Sequence, residues 1–101
     1  MVEIKWTPQA IEDINSIAEY ISKDSVKYAK IQTERFFEAA SVLLTKPNVG
    51  RVVPEIKKSN IRELILGNYR IIYRIISSKR IDILTIHHSA RKIKSSRFKN
   101  L

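Results

Sequence analysis

Between residues 61 and 88 the chain runs through three strand-length apolar stretches separated by two short breaks. This spacing constrains the fold more than any other feature. "IRELIL" (61–66) is followed by Gly67-Asn68, a strong two-residue hairpin signal between apolar runs. An apolar strand then runs from Tyr69 to about Ile76, "SSKR" (77–80) makes the next turn, and "IDILTIHH" (81–88) supplies a last strand. The spacing predicts an antiparallel meander.

The first half has a different period. "VEIKW" (2–6) alternates Val2, Ile4 and Trp6 against Glu3 and Lys5, a short half-buried strand. Thr7 followed by Pro8 is a helix start, with threonine as N-cap and proline at the first helical position. Ile11, Ile14, Ala18 and Ile21 follow at helical spacing, widened by Ile17, and Glu12 and Asp13 near the start suit the helix dipole. Asp24 or Ser25 caps a second helix with Val26, Ala29, Phe36, Phe37, Ala40, Leu43 and Leu44 as apolar positions. This helix is expected to end near Thr45-Lys46, ahead of Pro47. So short a connection predicts an antiparallel helical hairpin. "KPNVG" (46–50) reads as a loop and 51–60 as irregular.

The predicted class is therefore α+β, in the order β-α-α-β-β-β. The helical hairpin covers one face of a small antiparallel sheet, the first strand lies at an edge or beside the last, and the other face is free to be polar. Trp6, Phe36, Phe37, Tyr69 and Tyr73 are expected in the core.

At 101 residues with 44% apolar content, one domain spanning 1–101 is expected, with a basic tail over about 89–101. No apolar run approaches the length of a membrane span, no signal-peptide stretch opens the chain, and there is no cysteine. Two adjacent histidines without a cysteine cluster do not make a structural metal site, and no phosphate loop or dinucleotide fingerprint is present. The expectation is a cytoplasmic protein with no membrane, no metal and no cofactor.

Charge is more informative. Residues 1–50 hold six Lys/Arg against seven Asp/Glu, a balance of −1, and residues 51–101 hold thirteen against three, a balance of +10. Such segregation concentrates polyanions or acidic proteins at one part of the surface. Within the basic half, Arg70 and Arg74 fall on one face of a strand, opposite Tyr69, Ile71, Tyr73 and Ile75. They stand roughly 13 Å apart, too far for one phosphate clamp. They can recognise separate anions or pair across strands with Glu63 or Asp82. Glu55, one of the three acids in this half, can orient a base or pair with Arg51 or Arg62. His87-His88 closes the last strand with Arg91-Lys92 just beyond, and one histidine should point in and one out. A histidine at a strand end near arginines can move protons in phosphoryl transfer, or can serve only as a structural hydrogen-bonding group.

Four stretches together resemble the RelE/ParE superfamily of type II toxin–antitoxin toxins: "WTPQAIEDINSIAEYI" (6–21), "KPNVGRVVPE" (46–55), "IRELILGNYRIIYRI" (61–75) and "ILTIHHSAR" (83–91). The resemblance implies the fold derived above and a function in plasmid stabilisation or growth arrest. It also implies a cognate acidic or amphipathic antitoxin that neutralises the toxin, with operator DNA bound only through the antitoxin complex. Two branches follow. ParE-like members inhibit DNA gyrase by direct binding, and "WTPQAIEDI" and "HHSAR" are similar to that branch. On this reading Arg62, Arg70, Arg74, Arg91 and Lys92 form the target- and anion-binding surface. RelE-like members are endoribonucleases that cut mRNA on the ribosome. There Arg70, in "NYRIIYR", matches the phosphate-holding arginine, with His88 for proton transfer and Arg91 as a second phosphate contact. The RelE-type lysines before the hairpin are replaced by Arg62, Glu63 and Leu64, and "KIKSSRF" has no counterpart of the nuclease tyrosine.

Overall fold

The computed structural model describes residues 2–91, 93, 94 and 98. The element order is β1 (Glu3–Trp6), α1 (Pro8–Ser22), α2 (Val26–Ala40), a short 3₁₀ turn (Ser41–Leu44), β2 (Arg51–Val52), β3 (Ile61–Leu66), β4 (Tyr69–Ser77) and β5 (Arg80–His88). These form a five-stranded sheet in the order β1-β5-β4-β3-β2. The meander is present as expected: β3 pairs antiparallel with β4, and β4 with β5. The Gly67-Asn68 turn works because Gly67 takes φ +57°, a left-handed conformation at the first central position of the hairpin.

Three features differ from the sequence expectation. The sheet is mixed, because β1 runs parallel to β5 along its outer edge. The 51–60 segment is not wholly irregular: Arg51 and Val52 pair with Glu63 and Arg62 as a two-residue edge strand. The second helix stops at Ala40, and the 3₁₀ turn takes over to Leu44, tightening the chain ahead of Pro47.

Both helices start where side-chain caps permit. Thr7 Oγ1 accepts from the Ala10 amide and Ser25 Oγ from the Tyr28 amide. Thr7 Oγ1 also donates to the Ile83 carbonyl at 2.7 Å, tying the start of α1 to β5. Ala10, Ile14, Phe36, Ala40 and Leu43 from the helical layer pack on Ile71, Tyr73, Ile81, Ile83 and Ile86 of the sheet. Phe36 is fully buried, whereas Phe37 is 42% exposed and packs against Trp6, with ring centroids 4.6 Å apart.

The far face of the sheet is not simply polar. Val53, Ile61, Ile72, Ile93 and Phe98 form a second buried cluster there, with Ile56 and Leu84 against it. Adjacent strand residues Ile71 and Ile72 therefore serve opposite cores, as the period of two requires. Ile93 and Phe98 of the basic tail close this second core.

Asp13 does not act on the helix dipole, since the first turn of α1 holds no acidic residue. Its Oδ2 instead accepts from the Ile86 amide at 3.1 Å and from the Thr85 hydroxyl, on the β5 edge beyond the end of β1. An unpaired strand edge is a pairing hazard, and a carboxylate aimed at it blocks that pairing. Asp13→Ala is expected to lower stability by about 1–3 kcal/mol by leaving this amide unsatisfied. Amide hydrogen exchange at Ile86 should speed up selectively.

Candidate functional site

The basic residues singled out in the sequence are divided between the two faces of the sheet. In register, Arg70 sits opposite Ile65 and His87, while Tyr69 sits opposite Leu66 and His88. Tyr69 contacts Phe36 edge-on at 5.2 Å, which places Tyr69 and His88 on the helix side. Arg70 points to the other side.

There Arg70 is buried, at 7% exposure, within a chain of alternating charges. Its Nε donates to Glu63 Oε1 at 2.5 Å, and its Nη1 and Nη2 donate to the two oxygens of Glu55 at 2.7 and 2.8 Å. The other oxygen of Glu63 accepts from Arg51 Nε. Every nitrogen of the Arg70 guanidinium thus has a carboxylate partner. The sequence allows Glu63 as a cross-strand partner of Arg70 and points Glu55 to Arg51 or Arg62. The 53–57 turn overturns that pairing: the Ile56 and Lys57 amides both donate to the Val53 carbonyl, and the turn carries Glu55 over Arg70. Lys57 completes the turn at φ +58°, which costs a lysine about 1 kcal/mol.

The electrostatics follow from these contacts. The charged hydrogen bond from Arg70 lowers the Glu55 carboxyl from 4.5 to about 2, with help from the nearby Arg51 charge. The same hydrogen bond raises the Arg70 pKa further above its ordinary value. Because the folded carboxyl titrates below its unfolded value, its contribution to stability is fully present above about pH 4.5. That contribution is lost as the pH falls toward 2. The melting-temperature gap between the wild-type chain and Glu55→Gln should therefore stay constant above about pH 5 and close across that acid window. Thermal melts at stepped pH would measure it.

Arg62 is likewise committed. Its Nε donates to the Ser59 carbonyl at 2.9 Å and its Nη1 to the Gly50 carbonyl at 2.9 Å, clamping two loops together. The Tyr73 hydroxyl pins the same region, donating to the Pro47 carbonyl at 2.8 Å and accepting from the Gly50 amide at 3.0 Å. Arg74 is half-buried opposite Asp82, but Asp82 is held by Arg80 at 2.9 Å. The Arg74 Nε is the one buried side-chain polar atom without a partner among the described residues. Lys92 lies outside the described residues.

On the helix side, a groove of about 610 Å³ opens between α1 and the end of β5. Tyr20, Tyr69, Ile86, His88 and Arg91 are among its lining residues. Arg91 is exposed there. His88 is exposed, edge-on to Tyr69 at 5.5 Å, and its Nδ1 accepts from the Ala90 amide at 3.2 Å. His87 is buried, with Nε2 2.8 Å from the Arg91 carbonyl. A carbonyl only accepts, so the ring carries its proton on Nε2 and serves to hold the strand end. The structure thus brings His88 and Arg91 together and leaves Arg70 on the opposite face. Tyr73 and Gly50 carry no signal beyond their types, whereas Glu55 stands out as one of three acids in a basic half, with a partner the sequence does not specify.

A helical hairpin on one face of a small mixed sheet, with the positive charge gathered in the sheet half, is the architecture that the resemblance to RelE/ParE toxins implies. The chain belongs to the ParE toxin family of type II toxin–antitoxin systems, parDE, whose family model matches residues 4–93. Y4kP of Sinorhizobium fredii, a protein with a toxin name, is 38% identical over 88 residues, covering 85% of this chain and 86% of Y4kP. Toxin RelE2 of Caulobacter vibrioides is 29% identical over 91 residues, covering 90% of this chain and 99% of the relative. Among solved structures, a chain of the chromosomal ParDE system from P. aeruginosa superimposes with a TM-score of 0.72 at 25% identity, covering 87% of this chain and 96% of the other. The protein is a toxin of a type II toxin–antitoxin system.

Proposed function

We propose that this toxin stops growth in the ParE manner, by binding DNA gyrase directly, and that a cognate antitoxin of acidic or amphipathic character neutralises it. The observation that carries this reading is the division of the would-be nuclease residues. Arg70 is held by Glu55 and Glu63 on one face, while His88 and Arg91 line a groove on the other. Transition-state stabilisation of an RNA phosphate requires cationic and proton-transferring groups converging on one reacting atom. A protein contact requires only an exposed, complementary surface.

The docking surface follows by subtraction. Arg62 is spent on loop carbonyls and Arg70 on carboxylates, and Arg74 is half-buried, so among the described residues of the expected surface the exposed Arg91 beside His88 is the cation best placed for a partner. The antitoxin reading is supported by the +10 balance of residues 51–101. It is also supported by the solved relative, which belongs to a ParDE toxin–antitoxin system.

The test is expression of the chain alone from a tight promoter, with pulse labelling of DNA, RNA and protein. DNA synthesis falling first, with induction of the DNA-damage response, is the expected result. Protein synthesis falling first, with messages cut at defined codon positions, would overturn the reading in favour of the RelE-type nuclease. Arg91→Glu is expected to weaken arrest at least tenfold in inducer titrations while leaving the fold intact by circular dichroism. Full arrest by that variant would remove Arg91 from the target surface.

A further inference from the structure

Arg70 presents its two terminal nitrogens side by side to one pair of oxygens, at 2.7 and 2.8 Å. This fork-to-fork contact is the one a guanidinium makes equally well with carboxylate and with phosphate. The two carboxylates around it differ in role. The Glu63 side chain is fully buried, takes the inner Nε and also holds Arg51, so it fixes the plane of the guanidinium. Glu55 takes the outer edge, with a third of its side chain exposed, and it comes from a turn outside the sheet. Val53 is fully buried and Ile56 packs on the same small core, so the turn is anchored on both sides of Glu55.

The result has the parts of an anion site. A buried cation is oriented from behind, and its two-nitrogen edge faces outward. We propose that Glu55 is a resident counter-anion that closes an oxyanion site on Arg70, and that the same site takes inorganic phosphate once the Glu55 carboxylate is removed. Arg51 and Arg70 against Glu55 and Glu63 sum to zero charge, and without Glu55 the cluster is left at +1. An outward-facing, partly desolvated guanidinium edge then lacks its partner, a state that a small oxyanion relieves. Because the Glu55 carboxyl titrates at about 2, it stays charged at neutral pH, and mild acid does not open the site. The inference deepens the reading of the sheet face given above. It names the side chain that keeps phosphate groups off Arg70, and it rests on Arg70 not being a phosphate-holding group in the native chain.

The test uses the full chain in three forms: wild type, Glu55→Ala and Glu55→Ala/Arg70→Lys. Melting temperatures are followed in phosphate, formate and chloride at equal ionic strength, with isothermal titration of phosphate alongside. Phosphate stabilises most proteins by exclusion, so the comparison with wild type is the readout. Glu55→Ala is expected to gain about 6–11 °C over wild type at ten times its phosphate dissociation constant. The gain should saturate and should vanish in the Arg70→Lys double variant. A parallel, non-saturating rise in all three forms would overturn the proposal. So would measurable phosphate binding by wild type, and so would a gain with formate alone, which would mark a carboxylate site. Should Glu55→Ala melt below the working temperature, Glu55→Gln keeps the side-chain volume and is titrated with phosphate in the same way. Its failure to bind would count against the proposal. Failure here leaves the pulse-labelling result untouched, so the failure of this inference is distinguishable from failure of the reading it rests on.

Discussion

Glu63→Gln is expected to lower stability by about 3–5 kcal/mol. The Glu63 side chain is fully buried and each of its oxygens holds a different guanidinium, from Arg70 and from Arg51. Glutamine offers one acceptor in place of two, and its amide group would face a guanidinium as donor against donor. Arg70, itself buried, would lose the partner of its Nε in a place water does not reach. For a domain of about this size each kcal/mol moves the melting temperature by roughly 4–8 °C, so a drop of at least about 12 °C is anticipated. Arg51→Ala touches the same carboxylate from outside. With 61% of its side chain exposed, Arg51 should cost no more than about 1 kcal/mol. Urea denaturation of both variants separates the two cases. Equal losses would mean that Glu63 is hydrated and that the buried-pair account is wrong. A Glu63→Leu/Arg70→Met double variant, which removes both buried charges, is expected to recover most of the loss.

The second large effect is expected at Gly50. A Cβ built there would lie 2.6 Å from the Glu63 carbonyl oxygen, 2.6 Å from the Tyr73 hydroxyl and 2.8 Å from Tyr73 Cε1. Neither neighbour is free to retreat. Glu63 is a paired β3 residue between Arg51 and Ile72, and Tyr73 is fully buried with its hydroxyl shared between Pro47 and Gly50. The glycine is needed for close approach, since its backbone conformation is one that any residue adopts. Gly50→Ala should cost about 3 kcal/mol through forced overpacking. Tyr73→Phe alone should cost about 1–3 kcal/mol by orphaning the Gly50 amide and the Pro47 carbonyl. Removing the hydroxyl also removes one of the three clashes, so the double variant is expected to lose less than the sum of the two. A coupling of at least about 0.5 kcal/mol in a double-mutant cycle would measure this, and strict additivity would sink it.

These contacts also explain why the face opposite the helices differs from its sequence expectation. A period of two shows which residues share a face but not what lies over that face. Alternation puts Arg70 and Arg74 on the face away from Tyr69 and Tyr73, which pack with the helices. Only the folded chain shows that the 53–57 turn, Ile93 and Phe98 return over that side. The same gap accounts for Asp13. Its position on α1 was legible, while its role at the β5 edge depends on β1 ending at Trp6 and leaving the Ile86 amide uncovered.

What the sequence determined by itself was local. Apolar periods of two and near 3.6, Thr7-Pro8 and Ser25 at the helix starts, and Gly67-Asn68 between strands specify the elements, their order and the meander. Each rests on contacts within a few residues or across one tight turn. The segregation of charge into the second half was equally open to reading. What only the tertiary structure decided is which charges remain available. Glu55 and Arg70 are fifteen positions apart and Asp13 and Ile86 seventy-three. No local preference encodes such pairings. They arise when burial of the two cores brings distant segments together and each desolvated charge or amide must find a partner. That requirement turned Arg70 from a candidate phosphate contact into half of a buried ion pair, and left Arg91 exposed to solvent at the rim of the groove.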